Sequence, residues 1–575
     1  MFANGDLILR YLERLGVEYV FGVPGGSIEP FFDALARSER RGGPRLIVAR
    51  HEAGAAFMAE GYARETGKLG VCCATAGPGA TNLITGVASA FADNIPMLVI
   101  TAQTAIEKFG QGSLQEASCT GINTLEMFAA CTRYNTLVSH PAQLEHKLLQ
   151  AISLTFSNQP GPVHLSVPLD VMRATVPKPF NKGNLRAFIN HEVVPSQHAL
   201  KLLLNDLAAC KKATFVIGEG AAGAIPEIMS LLEAKGWSFV TTPRGKGLVD
   251  HFHPLYRGVF GFAGHDSARE ALKPENADRV VVIGTALDEV ATAAWDYTTI
   301  LSERLIHLSP NPEHLLRSTM ARLVILGSLE HSLKPFAELI GDTGASEHKP
   351  PVSADFLPEG LQLANREICL NHEDTGPIKP QTLMTYMSQR CPDNSRVLMD
   401  SGNSFLWGIH YWNTRRPSDL HHRKSLFHIG IGFASMGWAI GACVGVAAAA
   451  DGAPVLCFTG DGSYLMAGQE LTVAKQYDLN VMMVVLNDSS LGMVRHGQQL
   501  GGAEPIGTEL PPIDFAMIAK ACGVEAYRID TLDELKALDL AAILARPGPC
   551  LLDVRVDADQ VPPMGARIKV LTGAI

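Results

Sequence analysis

Short apolar, β-rich runs alternate with helical stretches along this chain, and they do so in three separate blocks. The first block holds "YVFGV", "LIVAR", "GVCCAT", "MLVITA" and "PVHLSV". The second holds "ATFVIG", "WSFVTT", "RVVVIG" and "RLIHLS", and the third "RVLMDSG", "PVLCFTG", "VMMVVLN" and "CLLDVRV". Strand runs interleaved with helices are the pattern of a parallel sheet covered by helices. The expected fold class is therefore α/β, with three doubly wound parallel-sheet domains at residues 1–180, 195–342 and 375–560. The looser stretch from Lys178 to about Ser196, and the Gly-, Pro- and acid-rich stretch from Asp342 to about Lys379, read as linkers. Three units also suit the length, since 575 residues exceed what one hydrophobic core holds.

A net charge of −10, from 48 basic and 58 acidic residues with no long Lys/Arg run, gives no electrostatic reason for nucleic acid or an anionic membrane as a partner. A small molecule is expected instead. The N-terminal "MFANGDLILRYLERLG" carries charges inside its apolar part and does not read as a signal peptide, so the expected location is the cytoplasm. The 11 cysteines are scattered, which suggests buried reduced thiols and neither a disulfide framework nor a zinc site. The 22 residues from Ile429 to Ala450 carry no charge and are long enough to cross a bilayer. Gly437, Gly441 and Gly445, four residues apart, equally suit a buried helix lying close to a neighbour. No membrane association is expected.

Ligands of doubly wound sheets sit beyond the C-terminal ends of the strands. There "VLCF" is followed by Thr459, Gly460, Asp461 and Gly462, and "VMMVVL" by Asn487, Asp488, Ser489 and Ser490. Glycines on both sides of Asp461 allow a tight turn and close approach of a ligand. Donors that are all oxygen suit Mg²⁺, which completes its octahedron with water and phosphate oxygens, and this points to a diphosphate. Either motif alone is more often an ordinary turn or helix cap. Together, at this spacing, they make a metal and diphosphate site the better reading.

Gly-Asp-Gly followed, 26 to 27 residues after Asp461, by an Asn-containing pair resembles the signature of thiamine-diphosphate enzymes. The resemblance implies that Asp461, Asp488 and the Ser490 carbonyl hold Mg²⁺. It also implies that Gly460, Gly462, Ser463, Leu491, Gly492 and Met493 adjoin the cofactor. Asp488 departs from the family's usual Asn. "RHEAGAAFMAEGYAR" resembles the family's N-terminal helix, whose glutamate, here Glu52, hydrogen-bonds the aminopyrimidine ring and so supports removal of the thiazolium C2 proton. "ATAGPGATN", with Pro78 and Asn82, resembles the loop of the same pyrimidine-binding domain, to which Gly26 also belongs. "GFASMGWAIGA" resembles the segment that bends the cofactor, with Met436 as buttress and the Ala434 carbonyl as acceptor. "DSGNSFLWG" would run along the diphosphate, with Asn403 and Ser404 in place of the family's Gln-His. In this family different subunits grip the two cofactor ends, which implies a homodimer or homotetramer.

Within the family the likeness is greatest to acetolactate synthase, through "FGVPGGSIEPFFDAL", "AGPGATNLITGVASAFADNIPMLVITAQ", "GSLQEAS" and "LNDSSLGMVRHGQ". The implied activity is carboligation: a 2-oxo acid such as pyruvate is decarboxylated and its acyl anion passed to an acceptor carbonyl. Glu52, Gln115 and Met436 would be the catalytic residues. The alternative is a 2-oxo acid decarboxylase that releases aldehyde, with His428 or His496 as proton donor. Gly497 stands where the family's acetolactate synthases have Trp, which implies a larger acceptor pocket. The glycines Gly218, Gly220 and Gly223 form a GxGxxG, but Thr241 and Thr242 stand where a dinucleotide site needs an acidic residue, so NAD is not expected. "GTALDEV" lacks the arginine of flavin-containing relatives, and FAD is not expected either.

Overall fold

The structure is a computed structural model that describes residues 2–176, 183–189, 192–334, 376–565, 568 and 570. Most of the second expected linker, and part of the first, lie outside the described residues.

Three six-stranded sheets, all parallel, account for the three blocks. A short antiparallel pair, β1 (Phe2–Ala3) with β8 (Thr175–Val176), ties the start of the first domain to its end. The first sheet comprises β2 (Tyr19–Gly22), β3 (Arg45–Val48), β4 (Gly70–Ala74), β5 (Met97–Gln103), β6 (Tyr134–Leu137) and β7 (Pro162–Pro168). Its spatial order is β3-β2-β4-β5-β7-β6. The second comprises β9 (Ala213–Ile217), β10 (Ser238–Thr241), β11 (Tyr256–Val259), β12 (Arg279–Ile283), β13 (Leu305–Ser309) and β14 (Leu323–Leu326). It is ordered β11-β10-β9-β12-β13-β14. The third comprises β15 (Arg396–Met399), β16 (Phe427–Ile429), β17 (Val455–Gly460), β18 (Val481–Asn487), β19 (Glu525–Ile529) and β20 (Cys550–Arg555). Its order, β16-β15-β17-β18-β20-β19, repeats that of the first sheet strand for strand.

The uncharged stretch Ile429–Ala450 is not one helix. It divides into the end of β16, a loop, and the helix Trp438–Ala449. No helix among the described residues is long and apolar enough to cross a membrane. The helix packs instead along the helix Glu52–Thr66 of the first domain, and Phe57, Met58 and Tyr62 share one core with Trp438, Ile440 and Val444. The contact is close because both surfaces are bare. A Cβ on Gly445 would lie 1.9 Å from the Met58 carbonyl oxygen, and one on Gly61 2.1 Å from that of Ala442. Gly441 faces Phe57 in the same way. Gly437, expected on this stripe, precedes the helix with φ at +83° and turns the chain into it.

Candidate functional site

The third sheet reverses its strand order between β15 and β17, the place where doubly wound sheets bind ligands. A cavity of about 170 Å³ opens there. The start of the helix Asn403–Tyr411, after β15, brings Asn403 and Ser404 to its wall. The turn after β17 brings Gly460, Asp461, Gly462 and Ser463, and the segment after β18 brings Asp488, Ser490, Leu491, Gly492 and Met493. Met436 closes one side. Two glycines let these loops meet: a Cβ on Gly462 would lie 2.5 Å from Leu491, and one on Gly492 2.7 Å from Asp488 Oδ2 and 2.8 Å from Asn403 Nδ2. Sequence reading missed the far wall, Val556, Asp557 and Gln560. Their position just after β20 was the available signal.

The acidic pair is built to hold positive charge. Asp461 is 3% exposed; Gly462 N–H donates to its Oδ1 at 2.7 Å, while Oδ2 is buried with no hydrogen-bond partner. Burial, and then the like charge of Asp488, push the Asp461 carboxyl up to about 7. Asp488 is raised in the same direction by burial. Its Oδ1 accepts from Ser490 N–H at 3.0 Å across Ser489, whose φ is +53°. Asn403 Oδ1 and Ser490 Oγ are also buried and unpartnered. Three buried oxygens without hydrogen-bond partners around one small cavity fit a hard cation and the oxygens of its anionic ligand. Asn487 does not join them: its Nδ2 donates to Asp553 Oδ1 at 2.7 Å and to the Ile513 carbonyl at 3.0 Å, toward β20.

Two carboxylates that sequence reading passed over hold the segment carrying Met436. Asp400 is fully buried at the end of β15, and burial raises its carboxyl above the usual range. It accepts from Gly437 N–H at 3.0 Å, Ala439 N–H at 3.1 Å and Thr459 Oγ1 at 2.9 Å. Asp93, from the first domain, accepts from Gly432 N–H at 3.0 Å. Between these anchors Ala434 adopts φ +56°, a left-handed conformation uncommon for a residue with a Cβ. Ala434 itself does not line the cavity.

The remaining expected residues form a second cluster at the corresponding switch point of the first sheet. Glu52 opens its helix and accepts from Asn82 Nδ2 at 3.0 Å. Gln115, with φ +58°, packs over Gly77 next to Pro78, since a Cβ on Gly77 would lie 3.0 Å from its Cβ. Gly26 is exposed on the loop after β2, beside Gly25, which abuts Thr75. Glu470 of the third domain, its carboxyl pushed up to about 7 by burial, accepts from His51 N–H at 2.9 Å and so fixes the start of the Glu52 helix. None of Gly26, Glu52, Pro78, Asn82 and Gln115 lines the cavity. The expected residues therefore fall into two separate clusters on one chain.

Both histidines considered as proton donors stand away from the cavity wall. His428 is buried on β16 with Nε2 4.0 Å from Glu65. His496 stands behind Asn403. Its Nε2 is 3.1 Å from the Ala558 carbonyl, which can only accept, so Nδ1 is the lone-pair nitrogen facing Asn403 Nδ2 at 3.2 Å. Burial lowers the pKa of both imidazoles, His428 to about 3. In the central sheet the GxGxxG loop closes on its own neighbour. Gly220 N–H donates to the Gly284 carbonyl at 2.9 Å, and a Cβ on Gly218 would lie 2.5 Å from Thr285. The loops after β9 and β12 thus touch each other at the point where this strand order reverses.

Comparison with known proteins gives three family matches. Residues 3–123 match the thiamine pyrophosphate enzyme N-terminal TPP binding domain, residues 200–336 the central domain and residues 400–554 the C-terminal TPP binding domain. The chain is 32% identical to acetolactate synthase of Arthrospira platensis, covering 96% of this chain and 94% of that one. It is 31% identical to the acetolactate synthase isozyme 2 large subunit of Escherichia coli K12, covering 96% and 95%. The X-ray structure of a provisionally assigned thiamin diphosphate-dependent enzyme from Mycobacterium smegmatis shares the fold. It has a TM-score of 0.76 at 22% identity, over 97% of this chain and 99% of that one.

Proposed function

The chain belongs to the thiamine pyrophosphate enzyme family, and from that premise we propose that it is an acetolactate-synthase-like carboligase that decarboxylates pyruvate or a related 2-oxo acid and joins the acyl unit to an acceptor carbonyl. Membership makes it a thiamine-diphosphate-dependent enzyme, and its relatives named acetolactate synthases are transferases. The observation that carries the reading is the buried, unpartnered Asp461 Oδ2 beside Asp488 at the third sheet's switch point. These residues fit the diphosphate end of the cofactor with Mg²⁺: Asp461, Asp488 and Ser490 would hold the cation, and Asn403, Ser404, Gly460, Gly462 and Ser463 would border the phosphates. Bound there, thiamine diphosphate supplies a carbanion at C2 able to accept and release an acyl group.

The chain's own residues supply the rest. Glu52 would hold a proton at the pyrimidine nitrogen, oriented by Asn82 at 3.0 Å. Met436, fixed between Asp93 and Asp400, would buttress the bent cofactor, with the Ala434 carbonyl turned by its left-handed backbone to accept a hydrogen bond. Gly26, Pro78 and Gln115 would border the pyrimidine side, and Leu491, Gly492 and Met493 the reacting side. An apolar wall at Met493 and Val494 favours loss of the substrate carboxylate by excluding water.

A cavity of about 170 Å³ is smaller than the roughly 300 Å³ at which ligand pockets begin. Together with the separate cluster at Glu52, this supports completion of the site by a second copy of the chain, in a homodimer or homotetramer. The segment "GTALDEV", which lacks the arginine of flavin-containing relatives, is the ground for reading the enzyme as flavin-independent. Gly497 does not line the cavity of this chain, and the larger acceptor pocket rests on its likeness to the acetolactate synthase position that carries Trp; Gly497→Trp should narrow the acceptor range while leaving donor decarboxylation intact. The test is proton NMR of enzyme with Mg²⁺, thiamine diphosphate and pyruvate, with and without a panel of aldehydes and ketones and without added FAD. Acetolactate or a mixed acyloin is the expected product. Acetaldehyde as sole product with acceptors present would overturn the reading.

A further inference from the structure

The central domain contributes no residue to the cavity wall. One of its loops, Pro243 to Leu248 after β10, nevertheless reaches the elements on both sides of that cavity. Arg244, its side chain 10% exposed, pairs with Asp288 of its own domain at 2.7 Å and with Asp93 Oδ1 of the first domain at 3.2 Å. The same Asp93 Oδ1 accepts from Gly432 N–H at 3.0 Å, at the head of the segment that carries Ala434 and Met436. That approach is close enough that a Cβ on Gly432 would lie 2.3 Å from Asp93 Oδ1. Asp93 Oδ2 is held from the other side by Arg64 at 2.7 Å, and Arg64 by Glu60 at 2.7 Å.

Two residues after Arg244, Lys246 is 1% exposed. Its ammonium donates to the Gly408 carbonyl at 2.9 Å and the Ile409 carbonyl at 2.5 Å. These lie in the last turn of the helix Asn403–Tyr411, whose first turn lines the cavity through Asn403 and Ser404. Gly247 then accepts from Leu426 N–H at 3.0 Å, just before β16. Burying two cationic side chains is costly, and apolar residues of similar volume would pack these domains together at least as well. What the cations add is direction: each grips one polar feature of an element that ends at the cavity.

We propose that the loop Pro243–Leu248 is a clamp by which the central domain positions both walls of the cofactor cavity, Arg244 through Asp93 and Gly432, and Lys246 through the carbonyl end of the helix Asn403–Tyr411. Arg244 and Lys246 are positioning residues: they touch neither cofactor nor substrate. The proposal rests on the reading that the cavity takes thiamine diphosphate.

The test compares Arg244→Met, Lys246→Met and a control, Arg279→Met, which breaks the Arg279–Asp206 pair inside the central domain (2.9 Å). Hydrogen–deuterium exchange is read in cofactor-free protein, and thiamine diphosphate affinity with Mg²⁺ by calorimetry. Lys246→Met should quicken exchange in residues 403–411, and Arg244→Met in 430–437, with the central-domain helix Ile225–Lys235 unchanged. Each should weaken cofactor binding by about 10- to 100-fold, as loss of outer hydrogen-bond partners does at metal sites; the control should do neither. Lys246→Met leaves two carbonyls without a donor but strands no carboxylate, whereas Arg244→Met strands Asp93 and Asp288, so Lys246→Met decides the matter even if Arg244→Met fails to fold. Unchanged affinity and exchange in Lys246→Met, or faster exchange spread evenly over all domains, would overturn the clamp. A wild-type protein that binds no thiamine diphosphate would sink the cofactor reading instead, and the exchange pattern would still judge the clamp.

Discussion

Asp461 carries the sharpest single-residue consequence. Its folded-state carboxyl titrates at about 7, against an ordinary 3.8, because it is buried beside Asp488. The folded protein therefore holds a proton that the unfolded chain has released between about pH 4 and 7. The Asp461 contribution to metal-free stability should fall as pH rises through that window, by a few kcal/mol, and level off above it, while buried histidines held neutral, such as His428 and His307, contribute in the opposite direction. Urea unfolding of metal-free wild type and Asp461→Asn at pH 5 and pH 8 checks this: relative to wild type, the variant should be more stable at pH 8 than at pH 5. Mg²⁺ binding must displace that proton, so its affinity should weaken by about tenfold per pH unit below 7. At the other half-site, Glu52→Gln should cut turnover by roughly 10²- to 10⁴-fold with little loss of cofactor affinity; full activity in that variant would refute the role given to Glu52. Asp461 and Asp488 were legible because glycines and strand ends flag them. Asp400 and Asp93 were not: a lone Asp in "LMDSG" or "FADN" looks like any strand-end or helix-end acid until the amides it serves, Gly437 and Gly432, come from far along the chain.

At the scale of elements, the sequence showed every interior strand and missed β6, β11, β14, β16 and β19. All five are sheet edges. An edge strand is paired on one side only and needs no continuous apolar run: β6 is half-buried throughout, and β14 and β19 mix buried, half-buried and exposed positions. The helix pair between the first and third domains was half legible. Small residues at four-residue spacing marked a close contact, but nothing named the partner, Glu52–Thr66, or excluded a bilayer. That contact yields a prediction of opposite signs. Gly445→Ala places a methyl 1.9 Å from the Met58 carbonyl oxygen and should destabilise by about 1–3 kcal/mol despite alanine's better helix propensity. Gly497→Ala, inside the helix Gly492–Leu500 with nothing near its added methyl, should stabilise by up to about 1 kcal/mol. Unfolding midpoints of the two variants decide both.

Over the whole molecule, the first and third domains repeat one strand order and are fused through one core, yet their switch points face different spaces. Three blocks of strands and helices foretold the three sheets, since alternation is a property of the chain. The distance between the two half-sites is a property of packing, and only the likeness to a known family suggested it beforehand. The central claim is that Glu52 of one copy and Asp461 of another serve the same cofactor. Coexpressing Glu52→Gln and Asp461→Ala chains under different tags, and purifying the oligomers that carry both, tests it directly. If the halves come from different copies, each such dimer has one intact site and one doubly altered site, and roughly half the wild-type activity per oligomer should return from two inactive parents. Doubly tagged oligomers as inactive as either parent would contradict the account.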